Sequence, residues 1–317
     1  MENGNNFPKT LLEAIRYFSD ADNALAFMVG IRWPNGIACP LCQSQEHSFI
    51  STRRVWKCKA CKKQFTVKLG SIMEDSPIGL DKWLTAIWLI ANAKNGISSC
   101  EIHRALGITQ KSAWFLLHRI RLSMQTGSFE KLSGAVEVDE TFIGGKARNM
   151  HVDKRKAKIT GRGASGKTIV VGTLERGGEV RANVVQERDA ETLQGFVNAH
   201  VERGAILFSD AFTAYEGLSS DFVHEVINHA EKYVDGQIHT NGIENFWSLL
   251  KRGLKSTYIS VQPFHLFRYV DEQSFRFNNR KANDAERFVK ACESMSGRRL
   301  TYQKLTGKTL MRDEAGH

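Results

Sequence analysis

Four cysteines constrain this chain more than any other feature. They read Cys39-Pro-Leu-Cys42 and, fifteen residues later, Cys58-Lys-Ala-Cys61. Two Cys-x2-Cys pairs at this separation have zinc-ribbon spacing. Each pair sits on a tight knuckle that aims two sulfurs inward, and the intervening hairpin brings both knuckles to one tetrahedral Zn²⁺. Short strands are expected over 47–52, 53–57 and 64–67. Four thiolates leave no position for water, so the metal is expected to be structural. Two disulfides or four free thiols are the competing readings. The opening MENGNN has no basic stretch leading into an apolar one, so no secretory leader is expected, and a cytoplasmic setting disfavours disulfides. Cys100 and Cys292 are expected to be buried small hydrophobes.

The charge points to a partner. The 317 residues hold 44 Lys and Arg against 34 Asp and Glu, a net +10. The excess is local: residues 144–167 alone carry +7, residues 1–130 carry +6, and the remainder is slightly acidic. Concentrated positive charge suits a polyphosphate, through counterion release and Coulomb steering; a solvated basic surface is the plainer alternative. Arg53, Arg54 and Lys57, beside Trp56, are the ribbon's candidate nucleic-acid contacts. The longest apolar run, Trp83 to Ala93, is too short for the ~20 residues of a membrane helix, so no membrane partner is expected.

Hydrophobic periodicity divides the chain further. Short helices are expected before the ribbon, broken near Ser19–Asp22, and another over 80–94. Then come Ser98–Leu106, Gly107 and a helix from Thr109 to Met124: a helix-turn-helix pattern with Ser98 and Thr109 as N-caps. Ala113, Leu117, Ile120 and Met124 form its inward stripe, leaving Gln110, Lys111, His118 and Arg119 outside to meet a major groove. A packing module without DNA would look much the same. From residue 135 the pattern becomes three strands, helix, strand, helix, strand, helix, which implies a mixed sheet flanked by helices. The expected fold class is multidomain α+β. Its segments are helices and ribbon over 1–75, the helix-turn-helix over 76–130, an α/β domain over 131–285 with a basic insertion at 144–167, and a helical tail over 286–317.

Two aspartates end apolar strands, Asp139 in VEVDE and Asp210 in ILFSD. Such carboxylates are held rigidly at a sheet edge. Glu244 opens a later helix, and Lys251 returns to nearly the same face, since seven steps of 100° fall 20° short of two turns. Three converging carboxylates can hold two Mg²⁺ ions and clamp a phosphodiester for in-line displacement. Glu140 should point to the opposite sheet face, as a salt-bridged or exposed acid. His239 is expected to be a loop residue, with contact to the scissile phosphate as the alternative. The glycine-rich insertion, with Lys154, Arg155, Lys156 and Lys158, is too polar to bury a core and is expected to lie along entering DNA.

The ribbon together with VEVDETFIGGK, FSDAFTAY, HTNGIENFWSLLKRG and FRFNNRK resembles the zinc-ribbon-bearing DDE transposases of bacterial insertion sequences, over about residues 20–285. The resemblance implies an RNase H-like catalytic domain using two Mg²⁺ (or Mn²⁺) ions. Asp139, Asp210 and Glu244 would be the metal ligands and Lys251 the basic residue that follows them; Asn241, one turn before Glu244, is the alternative third position. It further implies cleavage at terminal inverted repeats and strand transfer into target DNA. A homodimer or larger assembly on DNA, in the bacterial cytoplasm at the nucleoid, goes with that reading. The rival readings are a domesticated, non-catalytic DNA-binding regulator and a nuclease that never joins strands.

Overall fold

The computed structural model describes residues 7–125, 130–145, 151–153, 156, 166–210, 213–227 and 239–307. The chain forms two compact units, Met1–Gln125 with Lys281–His317, and Thr126–Arg280.

In the first unit, α1 (Leu11–Ser19) and α2 (Ala21–Arg32) are separated by one residue. Asp20 is extended, ends α1, and accepts the Asp22 and Asn23 backbone N–H groups with its carboxylate, so a single side chain makes the break and starts the next helix. The ribbon strands are β1 (His47–Ile50), β2 (Val55–Cys58) and β3 (Gln64–Phe65), all antiparallel. Helix α3 (Leu80–Asn92) buries Trp83, Leu84, Ile87, Trp88 and Ile90. Helix α4 (Ser99–Leu106) starts with a Ser98–Glu101 capping box and stops at Gly107, whose φ of 60° is left-handed. Helix α5 (Gln110–Ser123) is capped by Thr109.

The described residues from 281 to 307 group with the first unit. The helix Asp284–Glu293 packs on α3, and Phe288 meets Phe18, Phe27 and Trp88 with ring centroids 5.0–5.5 Å apart. This helix also packs on α5, as does α3. The structure makes one correction here. His118 and Arg119, expected on an outer face of α5, are buried together with Arg121. Arg119 lies over the rings of Trp83 and Phe115 and donates to the Glu74 carbonyl. Cys292 is buried as expected, but Cys100, in the first turn of α4, is exposed.

The second unit is built on a five-stranded sheet of order β6-β5-β4-β7-β8. The strands are β4 (Ala135–Ile143), β5 (Thr168–Glu175), β6 (Val180–Val185), β7 (Ile206–Asp210) and β8 (Val223–Ile227). Strands β4–β6 pair antiparallel, whereas β7 joins β4 and β8 in parallel. One face, with Val136, Val138 and Val171, packs on α6 (Ala190–His200) and the turn Thr213–Ser220. The other, with Val170, Leu174 and Val180, packs on α7 (Asn241–Gly253) and α8 (Leu266–Asn278). The mixed sheet flanked by helices is consistent with an RNase H-like fold. At the end of α8, Asn278 brackets Val180, accepting its N–H at 2.8 Å and donating to its carbonyl at 3.0 Å, which satisfies backbone groups of β6.

Candidate metal centres and active site

Cys39, Cys42, Cys58 and Cys61 bring their sulfurs within 4.8 Å of one another. Cys39 and Cys61 are 3.8 Å apart and Cys42 and Cys58 3.5 Å apart. A tetrahedral Zn²⁺ with Zn–S of about 2.3 Å places its sulfurs about 3.8 Å apart, so the donor set fits that ion. The Cys61 backbone N–H leads in lowering the Cys58 thiol, while the neighbouring sulfurs that share protons with it push Cys42 up, so the four thiols behave as one crowded donor set. Around the knuckles Arg53, Arg54 and Lys57 are exposed. Arg54 has a left-handed φ of 49° and is held at 2.9 Å by the Asp22 carboxylate. On α5, Gln110 and Lys111 are exposed; Gln110 donates to Ser99 at 2.8 Å and the Lys111 amine lies 4.7 Å over the Tyr302 ring. Lys156 is exposed, whereas Lys154, Arg155 and Lys158 lie outside the described residues.

In the second unit, Glu137 pairs with Phe208 across the parallel β4–β7 ladder. Asp139 and Asp210 each lie two residues beyond that pair, so both carboxylates end up on one side of the sheet where β7 stops. Beyond this point β4 runs on to Ile143, paired with β5 alone. Asp139, Glu140 and Asp210 each place a carboxylate oxygen within 4.8 Å of the others.

Both Asp139 oxygens are oriented: Oδ1 accepts the Glu140 backbone N–H at 2.8 Å, and Oδ2 accepts Trp247 Nε1 of α7 at 3.0 Å. Burial, then the Glu140 and Asp210 charges, push the Asp139 carboxyl up to about 7. Crowded carboxylates of this kind fit a hard divalent cation, whose charge relieves their repulsion. Glu140 does lie on the opposite face, where Arg188 pairs with it and the Tyr215 hydroxyl donates to it at 2.6 Å. Burial, followed by the Glu140 charge, drives the Tyr215 pKa well up, so the phenol remains a donor.

Glu244 is not among these three clustered acids. It is exposed in the first turn of α7 and accepts the Thr240 hydroxyl at 3.1 Å; Asn241 is exposed as well. Yet Trp247, which holds Asp139, follows Glu244 by three residues and precedes Lys251 by four, so all three share one stripe of α7.

Several residues that position α7 escaped the sequence reading. Gly172 faces Asp139 across β4–β5, and a Cβ there would stand 2.8 Å from the Trp247 ring, so the missing side chain lets that ring reach Asp139. Glu137 is buried on the same side of β4 and accepts the Ile243 N–H at 2.9 Å, supplying the start of α7 with an acceptor that Thr240's side chain does not. Arg176 Nε, 3.0 Å away, balances this charge and lies 3.9 Å over the Phe208 ring. His239 Nδ1 stands 3.4 Å from the same carboxylate, and its carbonyl accepts from Arg176 at 2.7 Å. An acid within an apolar strand and a glycine within a β-branched one were the available signals.

Comparison with known proteins gives two family matches: residues 131–278 to the ISXO2-like transposase domain and residues 19–64 to the transposase zinc-ribbon domain. The chain is 26% identical over 253 residues to an uncharacterized protein in transposable element ISH50 of Halobacterium salinarum, covering 76% of this chain and 85% of that one. It is 33% identical over 97 residues to an uncharacterized transposase-like protein of Haemophilus influenzae, 30% of this chain and 78% of the other.

Proposed function

Since the chain belongs to the transposases and matches the ISXO2-like transposase domain over 131–278, we propose that it cuts the terminal inverted repeats of an insertion sequence and joins the freed ends to target DNA. The observation that carries this reading is the pair Asp139 and Asp210, each two residues beyond the last pair of the parallel β4–β7 ladder and with carboxylate oxygens within 4.8 Å of each other. Two Mg²⁺ or Mn²⁺ ions bound there would activate an attacking oxygen and stabilise the leaving one. Asp139 and Asp210 are their ligands in this reading. Glu244, on the same α7 stripe as Trp247, is the third ligand in this reading, since it bears a charge that Asn241 lacks. Lys251, two turns along that stripe, meets the phosphate. Glu140, engaged by Arg188 and Tyr215 on the opposite face, stands beside the pair as a positioning group.

Water attacks first, breaking a phosphodiester and leaving a 3′-hydroxyl. That hydroxyl then attacks a target phosphodiester, forming the new bond and releasing a target 3′-hydroxyl. The ribbon, with structural Zn²⁺ and Arg53, Arg54 and Lys57, binds the repeats with Gln110 and Lys111 of α5. Arg119, being buried, has no part in that contact. Lys154, Arg155, Lys156 and Lys158 track the DNA backbone. Two ends must be handled together, which calls for a dimer or larger assembly in the nucleoid of a bacterial cytoplasm.

The test incubates the protein with labelled repeat DNA and target plasmid, with and without Mg²⁺. Metal-dependent 3′-end cleavage and joined products, abolished in Asp210→Asn, are expected. Specific binding with no cleavage by the unaltered protein would replace this reading with a DNA-binding regulator.

A further inference from the structure

Where β4 ends, the second unit carries a cavity of about 710 Å³ whose walls include Phe142, Gly145, Lys251, Lys255 and Ile259. Its rim is built unusually. Helix α7 runs into a π-helical turn, Leu254–Tyr258, a rare geometry that is frequent at functional sites. That turn stops at Ile259, with φ of 59° and ψ of −59°, a region a β-branched residue enters only under strain. Burial is not the return on this strain, because Ile259 is 77% exposed, more than any other large hydrophobic among the described residues. Beside it Lys251 and Lys255, four residues apart, put two amines on one wall.

A strained apolar side chain held in solvent beside two ammonium groups suits a ligand with an anionic edge and a flat apolar face. Inorganic phosphate alone would leave Ile259 without a contact, and an apolar peptide would leave both amines unmatched. A nucleotide supplies both surfaces. Phe142 lies three residues past Asp139, about 10 Å along the strand at ~3.3 Å per residue. That equals roughly three nucleotides at ~3.4 Å rise each. Resting on the transposase reading above, we infer that the cavity receives a nucleotide within three positions of the scissile phosphate. Its phosphate sits on Lys255 and its base leaves the stack to lie against Ile259, as apolar wedges elsewhere open base steps.

The test places 2-aminopurine, which brightens when unstacked, at each of the three positions on either side of the cleavage point of a terminal-repeat duplex. Full-length protein is bound without divalent metal, so fluorescence is read apart from turnover. One position is expected to brighten several-fold. Ile259→Ala should lose more than half of that rise while its affinity changes less than threefold, and Ile259→Leu should keep it. Lys255→Ala should weaken binding and reduce its salt slope by about one. Both sites are at the surface of the cavity, and an unchanged melting temperature checks the fold. No brightening with bound wild-type protein, or equal brightening in Ile259→Ala, overturns the inference. Adding Mg²⁺ to the same duplex separates the two ideas. Cleavage with fluorescence indifferent to Ile259 removes only the cavity, whereas brightening without cleavage removes the transposase reading and leaves the base contact standing. A wild-type protein that binds no DNA removes both.

Discussion

Asp139 shows how much one residue owes to its neighbours. Its carboxyl is pushed up to about 7 from an ordinary 3.8, first by burial and then by Glu140 and Asp210. A raised carboxyl favours the folded state while it is protonated. Its contribution is therefore complete below about pH 4 and is lost as pH climbs through 7, with a slope of at most ~1.4 kcal/mol per unit. Urea titrations of the metal-free protein between pH 5 and 8 should show this slope in the wild type and not in Asp139→Asn. At pH 8, Mg²⁺ should raise the wild-type melting temperature and leave that of Asp139→Asn unmoved; equal shifts would remove Asp139 from the metal site. Gly172 is the structural counterpart. An alanine Cβ there would meet the Trp247 ring at 2.8 Å, so Gly172→Ala should cost about 1–3 kcal/mol by denaturant unfolding. It should also slow end cleavage by displacing α7 from Asp139.

At the scale of elements, α4 and α5 separate local signals from packing. Ser98, Gly107 and Thr109 sit where capping and left-handed geometry require them, because a cap is decided within a few residues. The outer face of α5 differs for the opposite reason: Arg119 is covered by Trp83 of α3 and by the Glu74 carbonyl, which lie far from it in sequence, and His118 is buried as well. Arg119→Ala should accordingly behave as a core variant, losing about 2–4 kcal/mol of stability, with no change in the salt slope of DNA binding. Lys111→Ala should do the reverse, reducing the salt slope with little loss of stability. Melting curves and binding isotherms at several salt concentrations read both, and a stable Arg119→Ala with weakened DNA binding would return that residue to the interface.

Across the whole molecule, each of the two units has its own hydrophobic packing, and their candidate metal centres fall one in each. Cys58→Ser should therefore abolish zinc by elemental analysis and repeat recognition by mobility shift, while the Mg²⁺ response of the second unit persists. Unaltered zinc content would exclude the ribbon as the site. Among the described residues no helix is long and apolar enough to cross a membrane, which agrees with the short apolar runs of the sequence. The sequence by itself determined the ribbon spacing, the caps, the order of strands and helices, and the two aspartates, since all of these are written in local periodicity and fixed intervals. Only the tertiary structure decided that β4 and β7 run parallel in register and thus set Asp139 beside Asp210. Tertiary packing also decided that Glu137 and Gly172 position α7, that Arg119 is interior, and that residues 281–307 rejoin the first unit. Each of those facts depends on segments far apart in the chain meeting in space, and no pattern of neighbouring residues encodes which segment will be met.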